Sequence, residues 1–471
     1  MTLHRCVAAG LAVALASGCA LGPNYVRPEV SAPSEYRGQA TPVDAASIAD
    51  LPWWEVFGDP VLQQLIADAL AANYDLRAAV ARVEQAKALV GVAQSPFYPQ
   101  IQYQGSAGRQ RQPELLGTPA ATFDLFYGAF SLAWELDVWG RIRRSSEAAR
   151  EQYLATEEAR RGVLLTLATS VAQAYLGLLE LDRELDITRE TVKSFEETLQ
   201  LFTRQYTGGV GNKLQVDRAE AALAQTQAQV PDLERRIVVQ ENAIRVLLGQ
   251  SPGPIPRGAP LVDRPAPPDT PPGLPSALLE RRPDVLVAEH AIASANAQVG
   301  VAIANFFPQI GLTALYGGQS TELSDIVKGS FSVWNVAGNA AGPLFQGFEL
   351  LEQYRAQVAA WEEAKARYEQ TVLNAFAEVS NTLTAQTRFA EVRAAQERAV
   401  RAYQESVRLS LLRYTYGLSG YFEVLEAQQQ LFPAEITLSQ VQLSQLLTVV
   451  NLYRVLGGGW QLSDEQWLQK P

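Results

Sequence analysis

The chain is nearly without cysteine, histidine and methionine. Its 471 residues hold two Cys, two His and one Met. Both cysteines, Cys6 and Cys19, stand at the N-terminal end, so no disulfide can staple the body of the protein. Met1 is the only thioether, which excludes a methionine-lined path for soft metals. Past the N-terminus a catalytic histidine would have to be His290, and its Ala-rich helical surroundings point to a packing or polar-face role. Basic charge is short as well. Lys and Arg number 39 against 50 Asp and Glu, a net charge of -11, and no nucleic-acid partner is expected, because phosphate binding needs a basic surface. No run of 18 apolar residues follows the N-terminus, so a transmembrane helix is not expected and strands are the remaining route into a bilayer. P-loop, dinucleotide and zinc spacings are missing. Gly249-Gln250-Ser251-Pro252-Gly253 formally fits a nucleophile elbow, but it follows a helix and opens a proline-rich stretch. The expectation is no enzyme, no metal and no cofactor.

Gly and Pro are absent from Phe348 to Tyr416, a stretch of 69 residues. Within it Leu351, Tyr354, Val358, Trp361, Tyr368, Val372, Ala375 and Val379 recur in steps of three and four, with Lys365 in the remaining slot. That is the seam of a helix packing along another helix. At ~1.5 Å per residue the rod would be roughly 100 Å long. It ends at Gly417, and a second helical pattern returns from Tyr421 to Leu456. The reading is a long antiparallel hairpin with its functional residues at the tip.

The N-terminus is an address. A short basic start, an apolar core from Cys6 to Ala16, and Ala16-Ser17-Gly18-Cys19 make a signal peptide over residues 1–18. The cysteine in that place resembles a bacterial lipobox, which makes Cys19 the lipidation site and the covalent lipid the only attached group. Ala20 rather than Asp after it resembles an outer-membrane destination.

The body is written twice. Val92-Ala93-Gln94-Ser95-Pro96-Phe97-Tyr98-Pro99-Gln100-Ile101 returns as Val301-Ala302-Ile303-Ala304-Asn305-Phe306-Phe307-Pro308-Gln309-Ile310. Arg204 to Val210 matches Leu412 to Leu418, and Leu248-Gly249 matches Leu456-Gly457. The expected order is a lipid-anchored extended segment over 19–60, repeat one over 61–249, a Pro-rich linker over 250–274, repeat two over 275–457 and a tail over 458–471. Each repeat reads as a first helix (Val61 to Ala93; Ala277 to Asn305), two alternating segments, a very long helix and a return helix (Leu214 to Leu248; Tyr421 to Leu456). Pro231 and Pro433 fall inside the return helices, where each should kink or break its helix. The alternating segments lie at 100–108, 126–139, 309–317 and 331–342. From Phe126 to Val138 the even positions are apolar or glycine and the odd ones mostly small or charged, with aromatics at both ends, as in a transmembrane β-strand. Four strands cannot close a barrel, and an open edge in lipid is costly, so membrane strands would force several chains to share one barrel.

Several of these residues together resemble a known family. They are the two Pro-Gln-Ile motifs, Trp53-Trp54 with Phe57-Gly58-Asp59-Pro60, the run from Trp134 to Arg143, and Tyr414 with Gly417 and Val424-Leu425-Glu426-Ala427-Gln428. The chain resembles the TolC-like outer-membrane efflux factors, in their lipoprotein branch typified by OprM and the NodT group. The resemblance implies an α+β membrane protein: a homotrimer with a 12-stranded transmembrane barrel over a 12-helix periplasmic tunnel. It implies a passive exit channel in the bacterial outer membrane, coupled to a periplasmic adaptor and an inner-membrane pump of the resistance-nodulation-division class. Phe422, Glu423 and Glu426 would then line the closed periplasmic mouth, Phe422 as an apolar collar and the glutamates as a ring of like charges that could bind cations and respond to pH. The Gly-rich turns, Thr207, Gly208, Gly209, Val210 and Gly211 with Gly417, Leu418, Ser419 and Gly420, would meet the adaptor. The alternatives are a conduit for type I protein secretion or metal efflux and, in a different class, a structural periplasm-spanning coiled-coil lipoprotein. The cargo is not legible in the residues.

Overall fold

The computed structural model describes residues 20–39, 47–114, 119–264 and 271–468. The signal segment and Cys19 lie outside the described residues, as does the middle of the Pro-rich linker. The described chain runs through α1 (Pro60–Ala72), α2 (Tyr74–Gln94), β1 (Gln100–Gln112), β2 (Ala121–Leu136), α3 (Arg141–Thr207), α4 (Lys213–Gln227), α5 (Gln229–Leu247), α6 (Pro283–Ala304), β3 (Gln309–Ser320), β4 (Ser332–Ala341), α7 (Glu349–Thr415) and α8 (Phe422–Val455). Short helical turns occur between them. It divides into two units, one of residues 1–29, 81–157 and 287–370 and one of 30–80, 158–286 and 371–471.

The first unit carries one antiparallel sheet in the order β1-β2-β3-β4. Its register sorts the side chains. Tyr103 lies opposite Phe130, Phe130 opposite Tyr316, and Tyr316 opposite Trp334, so four aromatics form a single row across all four strands. All four are exposed. Ile101, Leu132, Ala314 and Val336 form the next row on the same face. The opposite face carries Gln102, Ser131, Leu315 and Asn335 in one row and Glu135, Gly311 and Asn339 in another. On that second face a Cβ on Gly317 would fall 2.6 Å from the Cβ of Ala129, so the strands approach too closely there for a side chain. β2 reaches further out than its alternation indicates, beginning at Ala121.

The strand-to-helix junction follows from the run Trp134 to Arg143. Gly140 takes φ +79, and the Asp137 carboxylate accepts from the backbone N–H groups of Ile142 and Arg143, both at 2.9 Å. It thereby satisfies two of the orphan donors that open α3. Glu135 pairs with Arg141 at 2.6 Å. Trp139 stacks on Phe307 at 4.9 Å and donates its indole N–H to the Pro308 carbonyl at 2.7 Å. The N-terminal strap is pinned there too. Leu21 N–H donates to the Trp139 carbonyl, and the buried Arg144 guanidinium donates to the carbonyls of Leu21 and Gly22 and to Asn24 Oδ1.

The rods form the buried stripe that their spacing demands. Leu351, Tyr354, Val358 and Trp361 are half-buried, and Tyr368, Val372, Ala375 and Val379 are buried. Lys365, the odd member, lays its ammonium 4.2 Å from the Trp361 ring centroid and pairs with Glu362. Among the described residues one helix, Arg141–Thr207, is long and apolar enough to cross a membrane, contrary to the composition-based expectation. Its apolar window is 61% buried within the chain, so packing accounts for it.

One expectation needs correction. Each first helix is interrupted once, at Asn73 (φ -62, ψ 133) and at Arg282 (φ -79, ψ 121). Asn73 caps α2 by accepting from Leu76 N–H at 3.0 Å. Arg282 precedes Pro283, whose ring disfavours helical backbone in the residue before it. The return helices respond differently to proline. Pro231 lacks an N–H and would press on the carbonyl four residues back, and the helix parts at Ala228 into α4 and α5. Pro433 sits inside α8, which stays continuous.

In the second unit the Trp53–Pro60 motif is an N-terminal lock. Trp53 is fully buried and meets Trp54 edge-on at 5.5 Å. Asp59 accepts from Val61 and Leu62 N–H at the start of α1 and pairs with Arg264 from the linker. All four long-helix ends close with glycine at positive φ: Gly209, Gly249, Gly417 and Gly457. A Cβ on Gly249 would fall 2.5 Å from the Ala72 carbonyl oxygen, and one on Gly457 would fall 2.7 Å from that of Arg281. The duplication therefore extends to the close approach of one helix end to another.

Candidate functional site at the helical tip

The tip is built by α3, α4, α7 and α8 of the second unit. α3 ends in a Schellman turn: Val210 N–H donates to the Gln205 carbonyl at 3.0 Å, and Gly209 N–H to that of Tyr206 at 3.1 Å. α7 ends identically, with Leu418 N–H on Arg413 at 2.8 Å and Gly417 N–H on Tyr414 at 2.9 Å. Gly209 and Gly417 take φ +75 and +68 with open space around them. Asn212 then opens α4 through a reciprocal capping box with Gln215.

Tyr421 is the keystone, and sequence reasoning missed it. Its ring is buried among Phe195, Phe202, Leu223, Val424 and Leu425. Phe202 meets it edge-on at 4.2 Å and Tyr414 at 5.0 Å. Its hydroxyl lies 2.6 Å from Thr198 Oγ1 and donates to Gln428 Oε1 at 3.3 Å. Burial pushes the phenol above its ordinary value. Gln428 in turn donates to Ser194 Oγ, and Gln205 donates to the Tyr414 hydroxyl at 2.6 Å. Polar bonds and aromatic edges thus tie the two hairpins together. The only sequence signal was that Tyr414 belongs to a duplicated segment.

Phe422, Glu423 and Glu426 point away from this core and are exposed. Glu423 and Glu426 share one face, as their spacing requires. Glu423 meets Arg413 at 3.3 Å, a contact across the turn that spacing does not reveal. Arg218 from α4 lies over the Phe422 ring at 5.7 Å. Glu405, Arg413 and Gln430 line the same open groove as the two glutamates. At the turns, Val210 and Leu418 are the protruding side chains, 83% and 70% exposed. Thr207 hydrogen-bonds back to the Thr203 carbonyl. Gly208 and Gly211 pack against the end of α3, so their smallness serves packing. Ser419 is half-buried, and a Cβ on Gly420 would meet nothing within 4 Å. Elsewhere, His290 faces Glu151 at 2.7 Å on the first unit.

The sequence pattern of the family described as outer membrane efflux protein matches residues 65–250 and 274–458. The chain belongs to the outer membrane efflux protein family. It is 35% identical over 451 residues to the probable efflux pump outer membrane protein TtgC of Pseudomonas putida, covering 94% of this chain and 93% of that one. It is 32% identical over 462 residues to the cation efflux system protein CusC of Escherichia coli, covering 98% of each. The solved outer-membrane channel OprN superposes with a TM-score of 0.85 at 30% identity, over 94% of this chain and 100% of that one. The chain is thus an outer-membrane efflux channel protein, and its relatives are channels, not enzymes. Its fold is the efflux-channel fold, in which long-helix hairpins build a tunnel and each chain lends four strands to a barrel. Members of the family form trimeric channels that serve tripartite efflux together with an adaptor and an inner-membrane pump. A purely structural coiled-coil lipoprotein is thereby set aside.

Proposed function

We propose that three copies of this chain close one passive exit duct, with 12 strands in the outer membrane and the helical tips at its periplasmic mouth. The sheet carries this reading. It has two open edges, β1 and β4, and one face that is apolar through the middle of the strands, crossed by the row Tyr103, Phe130, Tyr316 and Trp334, with the charged pair Arg109 and Asp124 at its outer end. Unpaired edge groups in hydrocarbon cost several kcal/mol each, and three four-stranded sheets joined edge to edge leave none. A detergent-extracted trimer that resists heating, and unit conductance in planar bilayers, are the expected results. A monomer without conductance would overturn the proposal.

The tip is the gate and the docking end in this reading. Three copies of Glu423 and Glu426 converge on the axis with Phe422 beside them, and the turns around Gly209 and Gly417 receive the adaptor of a resistance-nodulation-division pump. The exposure of Phe422, Glu423, Glu426, Val210 and Leu418 supports it. Replacing Glu423 and Glu426 together by Ala should make cells leakier to large antibiotics, and unchanged permeability counts against a gate. Asn in place of Gly209 or Gly417 should preserve the turn, whereas a bulky residue there should abolish adaptor crosslinking.

Lipid on Cys19 would anchor the chain beside the junction where Leu21 meets Trp139. Palmitate incorporation should vanish in Cys19→Ala. The cargo is set by the pump: TtgC is named for an efflux pump and CusC for cation efflux.

A further inference from the structure

The segment joining β3 to β4 does not stand clear of the sheet. It folds back on it. A Cβ built on Gly318 would fall 1.9 Å from the Ile326 carbonyl oxygen, and one on Gly128 would fall 3.4 Å from Ile326 Cδ1. Gly128 and Gly318 are register partners. They belong to the same face as Phe126, Phe130 and Tyr316, because side chains two apart on a strand share a face. The direction of both Cβ vectors therefore puts Ile326 on the aromatic-bearing face, and the two glycines form the seat that admits it.

We propose that the β3–β4 loop, residues 321–331, is a lipid-contacting element on the outer wall of the barrel. Ile326 fills the glycine seat, and Leu323 and Val327 are presented to the acyl chains of the outer leaflet. The proposal rests on the reading that the aromatic-bearing face meets lipid. Leu323 is 64% and Val327 87% exposed, while Ile326 between them is half-buried against the sheet. Part of the loop's backbone is hydrogen-bonded within the loop itself, which reduces the number of unpaired N–H and C=O groups near lipid, where they are costly. Asp325 N–H donates to Glu322, Ile326 to Leu323, Lys328 to Asp325 and Phe331 to Lys328. Glu322 N–H donates to the Ser320 hydroxyl at 3.1 Å. Lys328 is neutralised by Asp325 at 2.5 Å. The loop thus covers with aliphatic surface the one rung formed by Gly128 and Gly318, which have no side chains of their own.

A nitroxide attached at Val327→Cys tests this in the trimer reconstituted into vesicles. Phe130→Cys serves as the sheet-face reference and Asn335→Cys as the opposite-face reference. The parent chain, labelled in parallel, gives the blank for Cys6 and Cys19. The expected result is that the Val327 and Phe130 labels relax more with oxygen, which concentrates in lipid, than with a water-soluble nickel chelate, and that Asn335 shows the reverse. If Val327 prefers nickel while Phe130 prefers oxygen, the loop faces water and the inference is overturned with the barrel intact. If Val327 is shielded from both reagents, a neighbouring chain covers it and the inference is equally overturned. If Phe130 prefers nickel, the membrane reading of the sheet fails, and the inference with it.

Discussion

Arg282 donates from Nη1 to the Val455 carbonyl at 3.0 Å, and one repeat earlier Asn73 donates from Nδ2 to the Leu247 carbonyl at 2.9 Å. Each donor is the single extended residue that interrupts a first helix, and each acceptor lies in the last turn of a return helix. The duplication has kept the geometry and changed the donor. An amide satisfies one carbonyl; a guanidinium also pairs with Asp284 at 2.6 Å and Glu378 at 2.9 Å.

That difference sets unequal costs. Arg282 is buried, and its removal strands the Val455 carbonyl and two half-exposed carboxylates. Arg282→Ala should cost about 2–4 kcal/mol, more than an exposed pair would, because a buried partner is lost. Asn73→Ala loses a cap and one hydrogen bond, about 1–2 kcal/mol. Chemical unfolding in detergent would compare them, and equal shifts would contradict the account.

Tyr421→Phe keeps the aromatic packing and deletes only the hydroxyl. Without that hydroxyl Thr198 can donate to the Ser194 carbonyl, 2.9 Å away, so it is not left bare. Gln428 keeps its bond to Ser194 Oγ. The expected loss is about 1 kcal/mol. Faster hydrogen exchange should be confined to the tip helices, residues 195–203 and 414–428. Exchange that quickens throughout both hairpins would show that the hydroxyl braces more than the tip.

Arg413 bears on the gate and little on stability. It and Glu423 are each about half exposed, so their ion pair contributes less than about 1 kcal/mol. Arg413→Glu places a further acid beside the two glutamates. Cells should become more permeable to large antibiotics while the unfolding temperature stays within about a degree or two. Unchanged permeability would mean that Glu423 is held by its helix alone.

How much of this was legible differs by feature, for physical reasons. The rods could be read because a seam in steps of three and four runs from Leu351 to Val379 within 69 residues free of Gly and Pro. The strand faces could be read because β2 alternates cleanly. The helix breaks were hidden because one extended residue between two helices barely disturbs the apolar period. Pro283 was the available sign for one of them, and Asn73 has no such neighbour. At the tip, spacing placed Glu423 with Glu426, but Arg413 reaches them only because a turn of fixed length returns α8 alongside α7. The β3–β4 loop carries no periodic pattern, and its seat on Gly128 exists only once β2 and β3 are in register.

Glu180 offers a pH test of the tunnel wall. It is buried on α3, and its Oε1 accepts no hydrogen bond. Burial, and then the charge of Glu184 one turn on, push its carboxyl up to about 7, with Arg236 and the Ser439 hydroxyl pulling the other way. A folded-state value above the ordinary 4.5 means that ionisation works against the fold. The cost is absent below pH 4.5, grows as pH rises and is complete above about pH 7. Glu180→Gln removes the charge at nearly constant shape. It should stabilise the protein by on the order of 1–3 kcal/mol at pH 8 and by much less at pH 5. Unfolding temperatures of parent and variant across that range would decide. A gain of equal size at both pH values would show that the carboxylate is already relieved in the wall, by Arg236 or by water.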